Sequence, residues 1–174
     1  LVARVGEDGS AEEALALLRE GGVDLANCKA VPDAATGTAL IAVSPSGENQ
    51  IVVAPGANRS LHPEDFDEPE TDALICQLEV PVDTVAHAAR TYRGFFCVNL
   101  APATHVDVSI LQRADLVVVN ETDSEWYGDS LTACTGLVAT TRGSGVATLS
   151  RDDVVVAEVT PPAVDALDKT GAGA

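Results

Sequence analysis

The sequence predicts an α/β protein: a doubly wound, mostly parallel, Rossmann-like sheet with a small β-hairpin beside it. Short apolar runs alternate with helix-like segments between residues 73 and 141, and this alternation is typical of parallel βαβ units. Two β-rich runs within residues 36–54 surround a turn-forming segment, which predicts an antiparallel hairpin. Polar or glycine-rich residues follow most predicted strands. Ligands gather at those strand ends in doubly wound sheets.

The first half of the chain contains one predicted helix and the hairpin. The segment "SAEEALALLREGG" predicts a helix with Ser10 as its N-cap and Gly21 and Gly22 as its stop. The runs "TGTALIAV" and "QIVVAP", separated by "SPSGEN", predict the two strands of the hairpin. The acidic, proline-broken residues 61–72 are expected to form an exposed connector.

The second half predicts the parallel sheet itself. Strands are expected at "ALICQLE", "FFCVNL", "DLVVVNE" and "GLVATTRGS". Helices are expected at "PVDTVAHAARTY", where Pro81 suits the first turn, and at "VSILQRA". The segment "VATLSRDDVVVAEV" predicts a second hairpin that turns at residues 151–153.

The charge balance limits the partners. Ten basic residues face 27 acidic residues, for a formal net charge of −17. This argues against binding to nucleic acid or to an anionic membrane, because both need a basic face. The composition is compatible with a soluble cytoplasmic enzyme. An anionic ligand would have to be held by local backbone amides or a metal ion.

The cysteines and histidines form no recognisable motif. Cys28, Cys76, Cys97 and Cys134 include no CxxC pair, so we expect no zinc site. Buried free thiols are the favoured interpretation, with disulfides or a reactive thiol left open. The three histidines are scattered and lie near no matching serine or cysteine signature, which argues against a catalytic triad.

Three stretches at strand ends are candidate site residues, and each has a plainer alternative. Asn120 and Asp123 follow a strand and can hold hydrated Mg²⁺, or they can simply start a helix. Glu79 can accept hydrogen bonds from a sugar hydroxyl, or it can be a solvated strand end. The run Gly171, Ala172 and Gly173 can present backbone amides to an anion, or it can be a flexible chain end.

Several weak signals occur together in an ordered set. The stretches are "ATGTALIAV", "GENQIVVAPGAN", "ICQLEVP", "VNLAPA", "LVVVNETD", "TTRGSG" and "DKTGAGA". In order and spacing, over nearly the whole chain, they resemble the ribokinase-like (pfkB) family of ATP-dependent carbohydrate kinases, and the ribokinase branch above all. The resemblance implies ATP-dependent phosphorylation of a sugar hydroxyl, most simply that of ribose or a related sugar.

The resemblance also implies roles for particular residues. Glu79 would contact the sugar, while Asn120 and Asp123 would organise Mg²⁺ and the ATP phosphates, Asp123 standing where the family usually has glutamate. The remaining roles are a nucleotide-site lining by Thr141, Gly143 and Ser144, an anion hole by Gly171, Ala172 and Gly173, and a monovalent-cation site for K⁺ at Asp168 and Thr170. Residues 36–54 would form a lid that pairs two subunits into a homodimer, and residues 1–35 and 55–174 the kinase core.

One departure from the family pattern affects catalysis. The position after the Gly-Ala-Gly run, where the family has the aspartate that accepts the sugar-hydroxyl proton, is Ala174. We therefore expect the 174 residues alone to be inactive or slower by at least ~100-fold, the low end of what a positioned base contributes. The chain is interpreted as part of a longer kinase. An engineered truncation, and a degenerate kinase retained as a non-catalytic sugar- or nucleotide-binding module, remain as alternatives.

Overall fold

The computed structural model describes residues 1–44, 49–66 and 70–163. The strands are β1 (Val2–Gly6), β2 (Asn27–Val31), β3 (Thr38–Val43), β4 (Asn49–Ala54), β5 (Ala73–Cys76), β6 (Phe95–Asn99), β7 (Leu116–Asn120), β8 (Leu137–Thr141), β9 (Ala147–Arg151) and β10 (Val154–Val159). The α-helices are α1 (Gly9–Glu20), α2 (Val82–Thr91), α3 (Val108–Arg113) and α4 (Glu121–Tyr127). Short 3₁₀ helices cover Gly56–Ser60, Pro63–Asp65 and Gly128–Ala133.

Six strands form the main sheet, in the order β10-β9-β8-β7-β6-β5. Strands β5 to β8 pair in parallel, while β9 and β10 pair antiparallel at one end. The predicted mostly parallel α/β sheet is therefore confirmed, and so is the second hairpin. Its turn places Asp152 and Asp153 at φ values of 49° and 61°. Aspartate tolerates this left-handed region better than most residues.

The central strands are buried on both faces. Successive strand residues point to opposite faces, and the consecutive residues Phe96, Cys97 and Val98 are 0, 6 and 0% exposed. Val117 and Val119 on β7 are also fully buried. Helices α2 and α3 contribute Val85 and Ile110 among others to the same core, together with Tyr92 directly after α2. Continuous apolar strands of this kind are what a sheet covered on both sides requires.

Two strands near the start of the chain were not predicted. β1 and β2 pair in parallel with each other. Arg4 in β1 is 6% exposed, and its guanidinium lies 2.7 Å from a carboxylate oxygen of Asp65. The His62 backbone N–H and the Arg4 side chain hold the pKa of Asp65 below its usual value. This ion pair between buried Arg4 and half-buried Asp65 ties β1 to the 3₁₀ helix Pro63–Asp65.

The helix cap predicted at Ser10 is wrong, because α1 is capped by Asp8. The Asp8 carboxylate accepts the Ala11 backbone N–H at 3.0 Å, the Thr36 hydroxyl at 2.6 Å and the Thr36 backbone N–H at 2.8 Å. Both aspartate and serine are good cap residues. The contact with Thr36, 28 residues away, decides between them. These bonds fix the start of α1 to the base of the hairpin.

The predicted first hairpin is present and exposed. Strands β3 and β4 pair antiparallel, and Leu40 and Val52 face each other across the pair with 70% and 68% of their surface exposed. Every residue of β3 is exposed. The hairpin therefore presents apolar side chains without cover within the described part of the chain.

Each of the four cysteines carries a free thiol. Cys97 and Cys134 are buried, as predicted, whereas Cys28 and Cys76 are half-buried. Burial, with a smaller contribution from neighbouring Cys97, raises the pKa of the Cys76 thiol to about 11.

Candidate functional site

The candidate residues lie at the carboxyl edge of the sheet. Glu79 follows β5, Asn120 ends β7 and Thr141 ends β8. Asn120 and Thr141 are register partners in the β7–β8 ladder. Two strand spacings separate β5 from β7, a distance on the order of 10 Å. One edge of the sheet thus carries two candidate regions side by side.

The first region is a cleft of about 710 Å³ that contains Glu79. Val53 from β4 and Arg59 from the following 3₁₀ helix line one part of it. Ala103 and Thr104, from the loop after β6, line another. A cleft of this size is sufficient for a small polar molecule.

Glu79 is held in place by backbone contacts around it. Its backbone N–H donates to the Gln77 side-chain oxygen, and the preceding Leu78 N–H donates to the Ala101 carbonyl at 3.0 Å. The Glu79 side chain is half-buried. A carboxylate accepts hydrogen bonds and a guanidinium donates them. The cleft therefore offers both to a ligand with hydroxyl groups, through Glu79 and Arg59.

The second region is the turn from β7 into α4. The Asn120 side-chain oxygen accepts the Asp123 backbone N–H at 2.8 Å and caps the helix. The prediction that Asn120 can act as a helix N-cap is therefore confirmed. The cap fixes the position of Asp123 in the first turn of α4.

Asp123 is a buried carboxylate. The residue is 8% exposed, and its buried Oδ2 atom has no hydrogen-bond partner among residues 1–44, 49–66 and 70–163. Burial raises its pKa above the ordinary 3.8. An unpartnered buried oxygen is costly unless a cation or water satisfies it. The residue is thus chemically suited to a hydrated Mg²⁺, which is bound through few carboxylates and several waters.

The loop after β8 completes this edge. Gly143 has φ of 54°, a conformation that favours glycine. The Arg142 guanidinium folds back over the loop and donates to the Val146 carbonyl and the Thr148 hydroxyl, at 3.1 Å each. Ser144 is exposed. The loop with Gly143 and Ser144 begins after Thr141, which is paired with Asn120 in the β7–β8 ladder.

The remaining predicted site residues lie outside the described residues. They are Asp168, Thr170, Gly171, Ala172, Gly173 and Ala174. Within the part that is described, no three His, Cys, Asp or Glu side chains cluster as metal ligands. No helix in residues 1–44, 49–66 or 70–163 combines the length and apolar character needed to cross a bilayer.

Two residues near the site were not singled out from the sequence. Arg59 reaches the Glu79 cleft, and its only local signal is the glycine-containing "GAN" stretch before it. Tyr127 contacts the cleft wall at Thr104, 23 residues away. No local sequence pattern predicts a contact between residues so far apart in the sequence.

The fold and the cleft define the class of the molecule: an α/β protein with a ligand-sized site at the carboxyl edge of its sheet. A family model described as pfkB family carbohydrate kinase matches residues 1–173. The chain therefore belongs to the pfkB carbohydrate kinase family, and the resemblance noted in the sequence is confirmed.

Individual relatives agree with this assignment. The deoxyribokinase of Salmonella typhi is 33% identical over 134 residues, which cover 72% of this chain and 44% of that protein. The ribokinase of Mus musculus is 30% identical over 200 residues, covering 99% of this chain and 61% of that protein. The chain thus spans less than two thirds of the length of each.

Solved structures show the same fold. The ribokinase of Thermotoga maritima superposes with a TM-score of 0.86 at 25% identity, covering 99% of this chain and 63% of that one. The Arabidopsis thaliana ribokinase, solved with ribose and ATP, gives a TM-score of 0.76 at 21% identity, covering 99% and 64%. The ribokinase fold predicted from the sequence is confirmed.

Proposed function

We propose that the full-length protein transfers a phosphoryl group from ATP to a hydroxyl of ribose or a closely related sugar. The observation that carries the proposal is the Glu79 cleft at the carboxyl edge of a pfkB-family sheet. The relatives' names, ribokinase and deoxyribokinase, support a pentose as the substrate. The Arabidopsis structure with ribose and ATP supports ATP as the donor.

Sugar binding is assigned to the cleft. The Glu79 carboxylate accepts hydrogen bonds from sugar hydroxyls, and the Arg59 guanidinium donates to sugar oxygens. Val53 from the hairpin covers the same cleft. On this basis residues 36–54 act as a lid, and residues 1–35 and 55–174 as the core.

The phosphate end of ATP is assigned to the neighbouring region. Asn120 and Asp123 would hold hydrated Mg²⁺, and the bound metal would stabilise the negative charge that develops on the transferred group. Thr141, Gly143 and Ser144 line the nucleotide site. The run from Gly171 to Gly173 would form the anion hole, and Asp168 and Thr170 would border a K⁺ site. Catalysis of this kind depends on positioning and charge stabilisation.

The experiment is a sugar panel. ADP release by the full-length protein is measured with pentoses and hexoses in the presence of ATP, Mg²⁺ and K⁺. We expect turnover that depends on a pentose and is lost when Mg²⁺ is chelated. The absence of sugar-dependent turnover would overturn the proposal. The 174 residues tested alone are expected to be slower by at least ~100-fold.

A second candidate follows from Ala174, which has no basic group where the family has its proton acceptor. This candidate is a non-catalytic module that binds sugar or nucleotide. It predicts saturable ribose binding in calorimetry with no ADP release by the natural full-length protein. An aspartate codon at position 174 of the natural gene would eliminate it.

The exposed hairpin supports a homodimer. Leu40, Ile51 and Val52 are exposed on a two-stranded element with little polar alternation. An uncovered apolar element and its open edges favour pairing with a second copy. We expect Val52→Lys to weaken the dimer and raise the KM for sugar together, since one hairpin serves both. Sedimentation of the unaltered full-length protein as a monomer at micromolar concentration would refute this assembly.

A further inference from the structure

The loop that forms one wall of the Glu79 cleft is held from outside the cleft. The Tyr127 hydroxyl donates to the Thr104 carbonyl at 2.9 Å and accepts from the Thr104 backbone N–H at 3.3 Å. Both backbone groups of Thr104 are therefore satisfied by one side chain. Thr104 itself lines the cleft, as does Val53 from the hairpin.

Tyr127 belongs to the helix that starts at the phosphate region. It is 5% exposed and sits in the last turn of α4, four residues after Asp123. Residues four apart lie on the same face of a helix. Asn120 and Asp123 therefore lie at the start of this helix, and Tyr127, which is hydrogen-bonded to the cleft wall at Thr104, lies at its end.

We propose that Tyr127 is a positioning residue for sugar binding, fixing the Thr104 wall of the cleft relative to α4. This inference rests on the proposed sugar-kinase function. The Tyr127 hydroxyl acts through the Thr104 backbone, to which it is joined by two hydrogen bonds. The consequence is that the sugar cleft and the Asn120–Asp123 turn keep a constant relation, which in-line transfer between two bound substrates requires.

The protonation state of Tyr127 agrees with this role. Burial raises its pKa above the ordinary 10.0, and the nearby Asp123 charge adds to this, while the Thr104 bond acts in the opposite direction. The phenol consequently keeps its proton at neutral pH and remains a donor. A donor is what the Thr104 carbonyl needs.

Tyr92 provides a matched control within the same protein. It is also buried, 1% exposed, and its hydroxyl donates to a backbone carbonyl, that of Thr71, at 2.7 Å. It directly follows α2 as the C-cap residue and lies just before β6, at the amino edge of the sheet. Tyr92→Phe therefore removes the same kind of bond at the edge away from the cleft.

The test compares the full-length protein with Tyr127→Phe and Tyr92→Phe. We expect Tyr127→Phe to raise the KM for ribose about fivefold, which corresponds to ~1 kcal/mol, the usual net value of a hydrogen bond. The KM for ATP is expected to stay within about twofold, because the Asn120 cap is untouched. Tyr92→Phe is expected to leave both KM values unchanged, although both variants lower Tm.

The outcomes separate the two proposals. A ribose KM that is unchanged in Tyr127→Phe, with Tm lowered as in Tyr92→Phe, would overturn the positioning role and leave the kinase function intact. Equal rises in KM for ribose in both variants would overturn it as well. If the unaltered protein is not saturated by any pentose, the kinase function fails and the positioning role fails with it. Calorimetric titration with ribose alone supplies a second measurement that needs no turnover.

Discussion

Replacing Asp123 with asparagine should stabilise the protein at neutral pH. The buried Asp123 Oδ2 atom has no hydrogen-bond partner in the described part of the chain, and burial raises the pKa of this carboxyl. Because the folded pKa is raised, the protonated form favours the fold. That contribution is fully present below the ordinary pKa of 3.8 and is lost as pH rises through the raised folded value.

The size of the effect follows from the burial. An unsatisfied buried polar group costs ~1–3 kcal/mol, and more when it is charged. Asparagine removes the charge but keeps unpaired polar atoms. We therefore expect the variant's free energy of unfolding to rise by only the low end of this range, about 1 kcal/mol. For a chain of this size that corresponds to a rise in Tm of roughly 2–4 °C. Below pH 3.8 the difference should vanish, because both side chains are then neutral.

The assay is thermal unfolding of the full-length protein and its Asp123→Asn variant across a pH series, with and without Mg²⁺. Asp129→Asn, an exposed neighbour beyond α4, is the control and should change little. Mg²⁺ should stabilise the unaltered protein more than the Asp123 variant. A variant that is less stable than the unaltered protein at neutral pH without Mg²⁺, or a difference independent of pH, would refute the reasoning.

Three further predictions concern stability and reactivity. Thr84→Val should destabilise the protein by ~1–3 kcal/mol, since the buried Thr84 hydroxyl donates to the Leu61 carbonyl at 2.7 Å. Chemical denaturation should show a smaller loss for the control Thr91→Val, whose hydroxyl bond is only part-buried. Cys76, with a pKa of about 11, should resist alkylation at pH 8 until the protein is unfolded, as peptide mapping would show. Stability should also fall in acid, because folding lowers the pKa of several carboxyls. The stabilisation that these ionised carboxyls provide disappears as the pH drops through their folded pKa values. An acid titration by circular dichroism in which no folded structure is lost below pH 3.8 would contradict this prediction. The carboxyls concerned are Asp8, Asp65, Asp107 and Asp115.

The parallel sheet was predictable because its strands are short apolar runs buried on both faces. Phe96 to Val98 and Val117 to Val119 read as strands in the sequence and are strands in the structure. β1 and β2 were missed because they carry Arg4 and Lys29 and pair only with each other in the described chain. The buried Arg4 side chain pairs with Asp65, 61 positions away, and no local pattern predicts that contact.

The candidate site residues that could be predicted are those identified by their position at the end of a predicted strand. Asn120 is the last residue of β7 and Glu79 lies three residues after β5, and ligands bind at the carboxyl ends of parallel strands. The α1 cap was not predictable, because Thr36 selects Asp8 over Ser10 through a distant contact. Arg59 and Tyr127 were not predictable either, since each reaches the cleft or its wall through the packing of separate elements.

The most direct test of the sugar-kinase account is the KM for ribose in the full-length Glu79→Gln variant. Losing hydrogen bonds to a charged group costs ~1.5–3 kcal/mol, so we expect the KM to rise about 10- to 100-fold with little change in the KM for ATP. Glu64→Gln, an exposed carboxylate outside the cleft, is the control and should behave like the unaltered protein. A ribose KM unchanged in Glu79→Gln would contradict the assignment of this cleft to the sugar.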